Sequence, residues 1–140
     1  MRKAGQLAAS LLDMLTPHIK PGVTTEFLDD LAIEYAKDHH AHPAPLNYRG
    51  FPRAICTSIN HVVCHGIPTN KPLKEGDIVN VDVTLVLDGW HGDTSRMYPV
   101  GEISRRAERL IEVTYECLMR GINAVKPGVS TGKIGAAIQA

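Results

Sequence analysis

Between Ile78 and Met97 the sequence spells out a two-stranded hairpin, and nothing else in the chain restricts the fold as much. Along Ile78 to Leu87 the odd positions Val79, Val81, Val83, Leu85 and Leu87 are apolar, while Asn80, Asp82 and Thr84 hold even ones. Such period-two alternation buries one face of a strand and leaves the other polar. Asp88-Gly89 follows, a pair suited to the two positive φ angles of a type I′ turn, and Trp90 to Val100 supplies the return strand. That turn sets Leu87 opposite Trp90, Val86 opposite His91, Thr84 opposite Asp93 and Asp82 opposite Ser95. Directly opposed residues share a face, so Asp82, Thr84, His91, Asp93 and Ser95 project together. Asp82 and Asp93 become diagonal neighbours, roughly 7–8 Å apart at the backbone.

Two carboxylates on one face repel each other unless water screens them or a cation lies between them. Asp is a poor strand former, so a pair in opposed strands hints at a purpose beyond solvation. Oxygen donors suit divalent cations, and two ions about 3.5–4 Å apart would match this separation. From the hairpin alone, a solvated face and a dinuclear metal site both stay open.

Upstream, Leu7, Ala8, Leu11, Leu12 and Leu15 form a helical stripe that ends near Pro17. A second helix is expected from Thr25 to about His39, with Phe27, Leu28, Leu31, Ala32, Tyr35 and Ala36 on one face and Thr24 or Thr25 as its cap. Prolines and glycine make Ala41 to Pro52 a loop, Ala54 to Ile59 reads as a short strand, and Asn60 to Asn70 is a turn-rich loop. From Ser104 or Arg105 a long helix spaces Ala107, Leu110, Ile111, Thr114, Leu118, Ile122 and Val125 for burial. The segment Lys20-Pro21-Gly22-Val23-Thr24-Thr25 recurs as Lys126-Pro127-Gly128-Val129-Ser130-Thr131. Either a common helix-helix corner is used twice, or the fold is internally duplicated.

Composition excludes more than it selects. Lys plus Arg and Asp plus Glu number 15 each, so no net field draws the chain to nucleic acid or an anionic membrane. No apolar run approaches the roughly 20 residues that span a bilayer. Met1-Arg2-Lys3-Ala4-Gly5 opens an amphipathic helix rather than a signal peptide. Three cysteines, Cys56, Cys64 and Cys117, form no CxxC pair and fit a reducing cytoplasm.

Ser58 to Pro68 contains Val63-Cys64-His65-Gly66-Ile67-Pro68, and Gly76 to Thr84 and Asp88 to Met97 follow. Together these stretches resemble the signature of type I methionine aminopeptidases, and the likeness runs from the first helix to Ala140. The resemblance implies the pita-bread fold, a pseudo-two-fold α/β (α+β) structure of curved antiparallel sheet with outer helices. This chain would be its first half, a partial catalytic domain over residues 1–140, lacking a short lead-in and the second half. Further implications are a metal role for Asp82 and Asp93, with Asp93 bridging two divalent ions (Co, Mn, Fe or Zn). His65 would be the catalytic, substrate-contacting histidine, with Tyr48 and Cys56 lining the methionine pocket. The reaction implied is removal of the initiator methionine from nascent polypeptides, near the ribosome, by a cytoplasmic monomer when full length. The remaining ligands, one histidine and two glutamates, would lie in the second half, so the chain alone is expected to be inactive. Other pita-bread peptidases, such as proline-specific aminopeptidases, and a non-enzymatic binding module are the rival readings. His39, His40 and His42 are expected at the surface, Cys64 in a structural role, and His91 in either a structural role or one supporting the aspartates.

Overall fold

The computed structural model describes residues 1–140. Its centre is β3 (Ile78–Leu87), paired antiparallel along its whole length with β4 (Trp90–Pro99). Asp88 and Gly89 take φ values of 51° and 79°, the two left-handed positions that the turn requires. The pairs Leu87–Trp90, Val86–His91, Thr84–Asp93 and Asp82–Ser95 form as expected. Along the opposite edge of β3 lie β2 (Cys56–Ile59), with Cys56 beside Asp82, and the two-residue β1 (His42–Pro43), with His42 beside Val86. The short β1 falls inside the segment read as loop. Its prolines mask it, and one bonded partner is all that so brief an edge strand needs.

The chain forms two compact units, Met1–Ile103 and Ser104–Ala140. In the first, α1 (Arg2–Leu15) and α2 (Thr25–Asp38) carry the helical stripes. Ala8, Leu11, Leu12 and Leu15 of α1 join Leu28, Ala32 and Ala36 of α2 and Val79, Val81, Val83 and Leu85 of β3 in one core. Burying each Val or Leu contributes roughly 1.5–3 kcal/mol. The exposed Arg96–Asp13 pair, 2.9 Å long, contributes at most about 1 kcal/mol, so packing rather than charge holds α1 on the sheet. The Tyr98 hydroxyl donates to the Leu12 carbonyl at 2.8 Å and fixes where the helix sits. Phe27, expected on the buried face of α2, is exposed and lies edge-on to His18 instead. His39, His40 and His42 are exposed.

The second unit is α3 (Arg105–Ala124) and α4 (Thr131–Gln139). The repeated corner adopts one conformation twice. Gly22 and Gly128 take φ of 88° and 81°, and the Val23 and Val129 N–H groups donate to the Lys20 and Lys126 carbonyls at 3.2 Å. The stripe expected to be buried on α3 is open: Leu110 is 57% exposed and Leu118 52%.

Gly92 of β4 lies directly beneath α1, where an added Cβ would sit 2.2 Å from the Ala4 carbonyl. Backbone cannot yield as a side chain does, so Gly92→Ala should cost roughly 1–3 kcal/mol or more. Thermal unfolding should show a clear fall in the midpoint. An unchanged midpoint would show that α1 does not rest on β4 there.

Candidate functional site

The site grows from the polar face of the hairpin. Asp82 faces Cys56 across one edge of β3 and Ser95 across the other, and Thr84 faces Asp93. Because opposed residues share a face, Cys56, Asp82, Thr84, His91 and Asp93 point into one cavity of about 760 Å³. His65 and Tyr48 reach the same cavity from loops. The structure thus brings together every residue singled out in the sequence for ligation, catalysis or substrate contact.

Both loops are held in costly conformations. His65 has a φ of 54°, and Gly66 after it presses against β2 so closely that a Cβ would lie 2.1 Å from the Thr57 carbonyl oxygen. The Thr57 N–H donates to the Gly66 carbonyl at 2.8 Å, and the Gly66 N–H donates to Ser58 Oγ at 3.1 Å. These bonds fasten the loop to β2 and keep His65 on the cavity that Asp82 and Asp93 also line. Across the cavity Asn47, Arg49 and Gly50 also take positive φ, at 66°, 49° and 85°. Each non-glycine residue held this way costs on the order of 1–3 kcal/mol, an expense that concentrates at binding sites.

Burial, and after it the Asp93 charge, holds the Asp82 carboxyl above the usual carboxylate range, while His65 acts in the opposite sense. Two oxygen-donor carboxylates, with the charge on Asp82 disfavoured by burial and by its neighbour, are a donor set suited to divalent cations. No three His, Cys, Asp or Glu side chains stand where they could hold an ion by themselves. The Cys56 thiol is pushed up to about 11, by burial first and by the neighbouring Asp82 next. It is a neutral wall of the cavity, not a nucleophile. Cys64 is exposed, and the apolar lining includes Ala44, Pro45, Phe51, Pro52 and Ile67 beside Tyr48 and Cys56. Sequence reasoning missed Phe51 and Ile67, although each stands within a few residues of one it named.

The profile of metallopeptidase family M24 matches residues 1–140. The methionine aminopeptidase of Rickettsia prowazekii is 63% identical over 139 residues, covering 99% of this chain and 54% of that protein. A crystal structure of methionine aminopeptidase from the same organism superposes with a TM-score of 0.97 at 62% identity, covering 99% of this chain and 56% of the other. An Xaa-Pro dipeptidase from Bacillus anthracis superposes with a TM-score of 0.83 at 20% identity, over 98% of this chain and 37% of its own, and so shares the fold. The chain spans about half the length of the curated relatives it matches.

Since the folded thiol of Cys56 lies above its ordinary value of 9.0, its neutral form favours the fold fully below about pH 9, and that contribution is lost as pH rises through about 11. Alkylation by iodoacetamide at pH 8 should be at least about tenfold slower at Cys56 than at exposed Cys64. Mass spectrometry of the labelled chain should find Cys64 modified first. Equal rates at the two thiols would contradict the buried wall.

Proposed function

The chain belongs to metallopeptidase family M24, and from that premise we propose that residues 1–140 are the first half of a methionine aminopeptidase catalytic domain. The whole enzyme removes the initiator methionine from nascent polypeptides, acting as a cytoplasmic monomer near the ribosome. The observation that carries this reading is the placing of Asp82 and Asp93, from one rigid hairpin, against His65 and Cys56 in a single cavity. No helix is long and apolar enough to cross a membrane.

Asp82 and Asp93 would be this chain's ligands to the divalent ions (two of Co, Mn, Fe or Zn). Bound there, the ions supply a water of lowered pKa and a polarised peptide carbonyl. His65 orients the scissile peptide through an imidazole that the Gly66–Thr57 contact keeps from swinging away. Tyr48, Cys56, Phe51 and Ile67 enclose the methionine side chain, where a flexible thioether fills an apolar slot well. The proline-specific reading is supported by likeness of fold alone. A purely binding module would have no use for a strand aspartate whose charge is disfavoured by burial and by a second aspartate beside it.

The repeat supports a second half of matching design. Aligning Lys20 with Lys126 sets Leu110, Thr114, Cys117, Leu118 and Gly121 at the positions of Ala4, Ala8, Leu11, Leu12 and Leu15, the buried face of α1. That face of α1 covers a hairpin. Its counterpart on α3 is suited to cover another, one that brings the histidine and two glutamates still needed.

Release of methionine from a Met-Ala-Ser peptide with added Mn or Co tests the reading. The 140-residue chain alone should give background rates, and adding the second half of a relative as a separate polypeptide should restore turnover. In the restored enzyme Asp93→Ala should remove several kcal/mol of transition-state stabilisation, a loss on the order of 10³-fold. Full turnover by the unaided chain, or by the Asp93→Ala enzyme, would refute it.

A further inference from the structure

The two walls of the cavity are rooted in one place, the first two turns of α2. Thr25 Oγ1 accepts the Thr69 N–H at 2.9 Å, and the Glu26 N–H donates to the Thr69 carbonyl at 3.0 Å. These bonds anchor the chain just beyond the His65 loop. One turn further along α2, Asp29 Oδ1 accepts the N–H groups of Ala54 and Ile55, at 2.8 and 3.0 Å. Arg53 pairs with Glu26 and stands 3.8 Å from Asp29 Oδ2. A carboxylate thus takes the place of a strand partner immediately before Cys56. For this reason β2 begins at Cys56, two residues later than the sequence pattern suggests.

Asp29 is fully buried, and its second oxygen has no hydrogen-bond partner. A carboxylate in such a place costs stability, so its presence needs a return elsewhere. The repeat provides an internal control. The second copy keeps Thr131 at the position of Thr25 but has Gly132 and Gly135 at those of Glu26 and Asp29. A helix, corner and second helix form without the two acids, which occur only in the copy whose helix bonds to the segment before Cys56.

We propose that Asp29 is a positioning residue. From α2 it sets the Ala54–Ile55 backbone, and through it the Cys56 wall, at the width that admits an unbranched side chain. Only that last clause rests on the methionine reading; the tether itself stands on the geometry.

The experiment follows three thiols in the 140-residue chain. Alkylation rates of Cys56, Cys64 and Cys117 are measured in wild type, Asp29→Ala and Asp29→Asn, beside thermal unfolding. Asp29→Ala should speed labelling of Cys56 by about tenfold or more through local opening while Cys64 and Cys117 keep their rates. Asp29→Asn retains a carbonyl acceptor for both N–H groups and should return Cys56 to within about threefold of wild type. Amide exchange in the wild type gives a second measurement, which decides the matter if Asp29→Ala does not fold. Ala54 and Ile55, though outside any strand, should exchange as slowly as Val81. In protein that still unfolds cooperatively, an unchanged Cys56 rate or an equal rise at all three thiols overturns the proposal, as does exchange of Ala54 and Ile55 at loop rates. None of these readouts uses methionine, so failure of the peptide assay would leave them standing.

Discussion

The register of one antiparallel hairpin governs everything built on this chain. Side chains on a strand alternate between faces, so a slip of one residue between β3 and β4 would turn Asp93 into the core and bring Gly92 out toward the cavity. The Asp88-Gly89 turn guards against that slip locally, and the apolar row Val79, Val81, Val83 and Leu85 guards against it globally, since all four are buried. The two constraints agree, which is the mark of a sequence that specifies one structure. Gly92 adds a third: only a residue without a side chain fits beneath α1 at that point.

Around this rigid element the cavity is finished by segments that are individually strained. His65, Asn47 and Arg49 hold left-handed backbone conformations, and Gly66 is jammed against β2. The core has to supply the stability that these residues spend. It does so through close packing of α1 and α2 against one face of the sheet, leaving the other face free for chemistry. Repulsion between Asp82 and Asp93 is part of the same expense, and a divalent cation would relieve it. The M24 family assignment implies divalent metal, and this local electrostatic strain supports the proposal that the two carboxylates help to hold it.

Much of this arrangement was legible in the sequence, because the hairpin's information is local. Alternation, a turn dipeptide and strand pairing rules place Asp82, Thr84, His91 and Asp93 on one face without any knowledge of the rest. The corner repeat was equally plain, and both copies adopt the same turn. What escaped was tertiary. Phe27 has the right spacing for the core of α2 but stands at its rim against His18. Ala54 and Ile55 look like strand residues yet bond to a helix carboxylate. Phe51 and Ile67 reach the cavity from loops, where no periodicity announces a direction. The roles of His65, Tyr48 and Cys56 came from resemblance, for nothing in their spacing alone would have joined them.

If Asp82 and Asp93 form one cation-binding face, paramagnetic broadening by Mn²⁺ in the ¹⁵N-labelled chain will report it. Substoichiometric Mn²⁺ should broaden the amides of Asp82, Thr84, Asp93 and His65 first, and Asp93→Ala should remove that pattern while leaving the fold intact. Broadening centred instead on His39, His40 and His42, or a pattern unchanged in Asp93→Ala, would contradict the account.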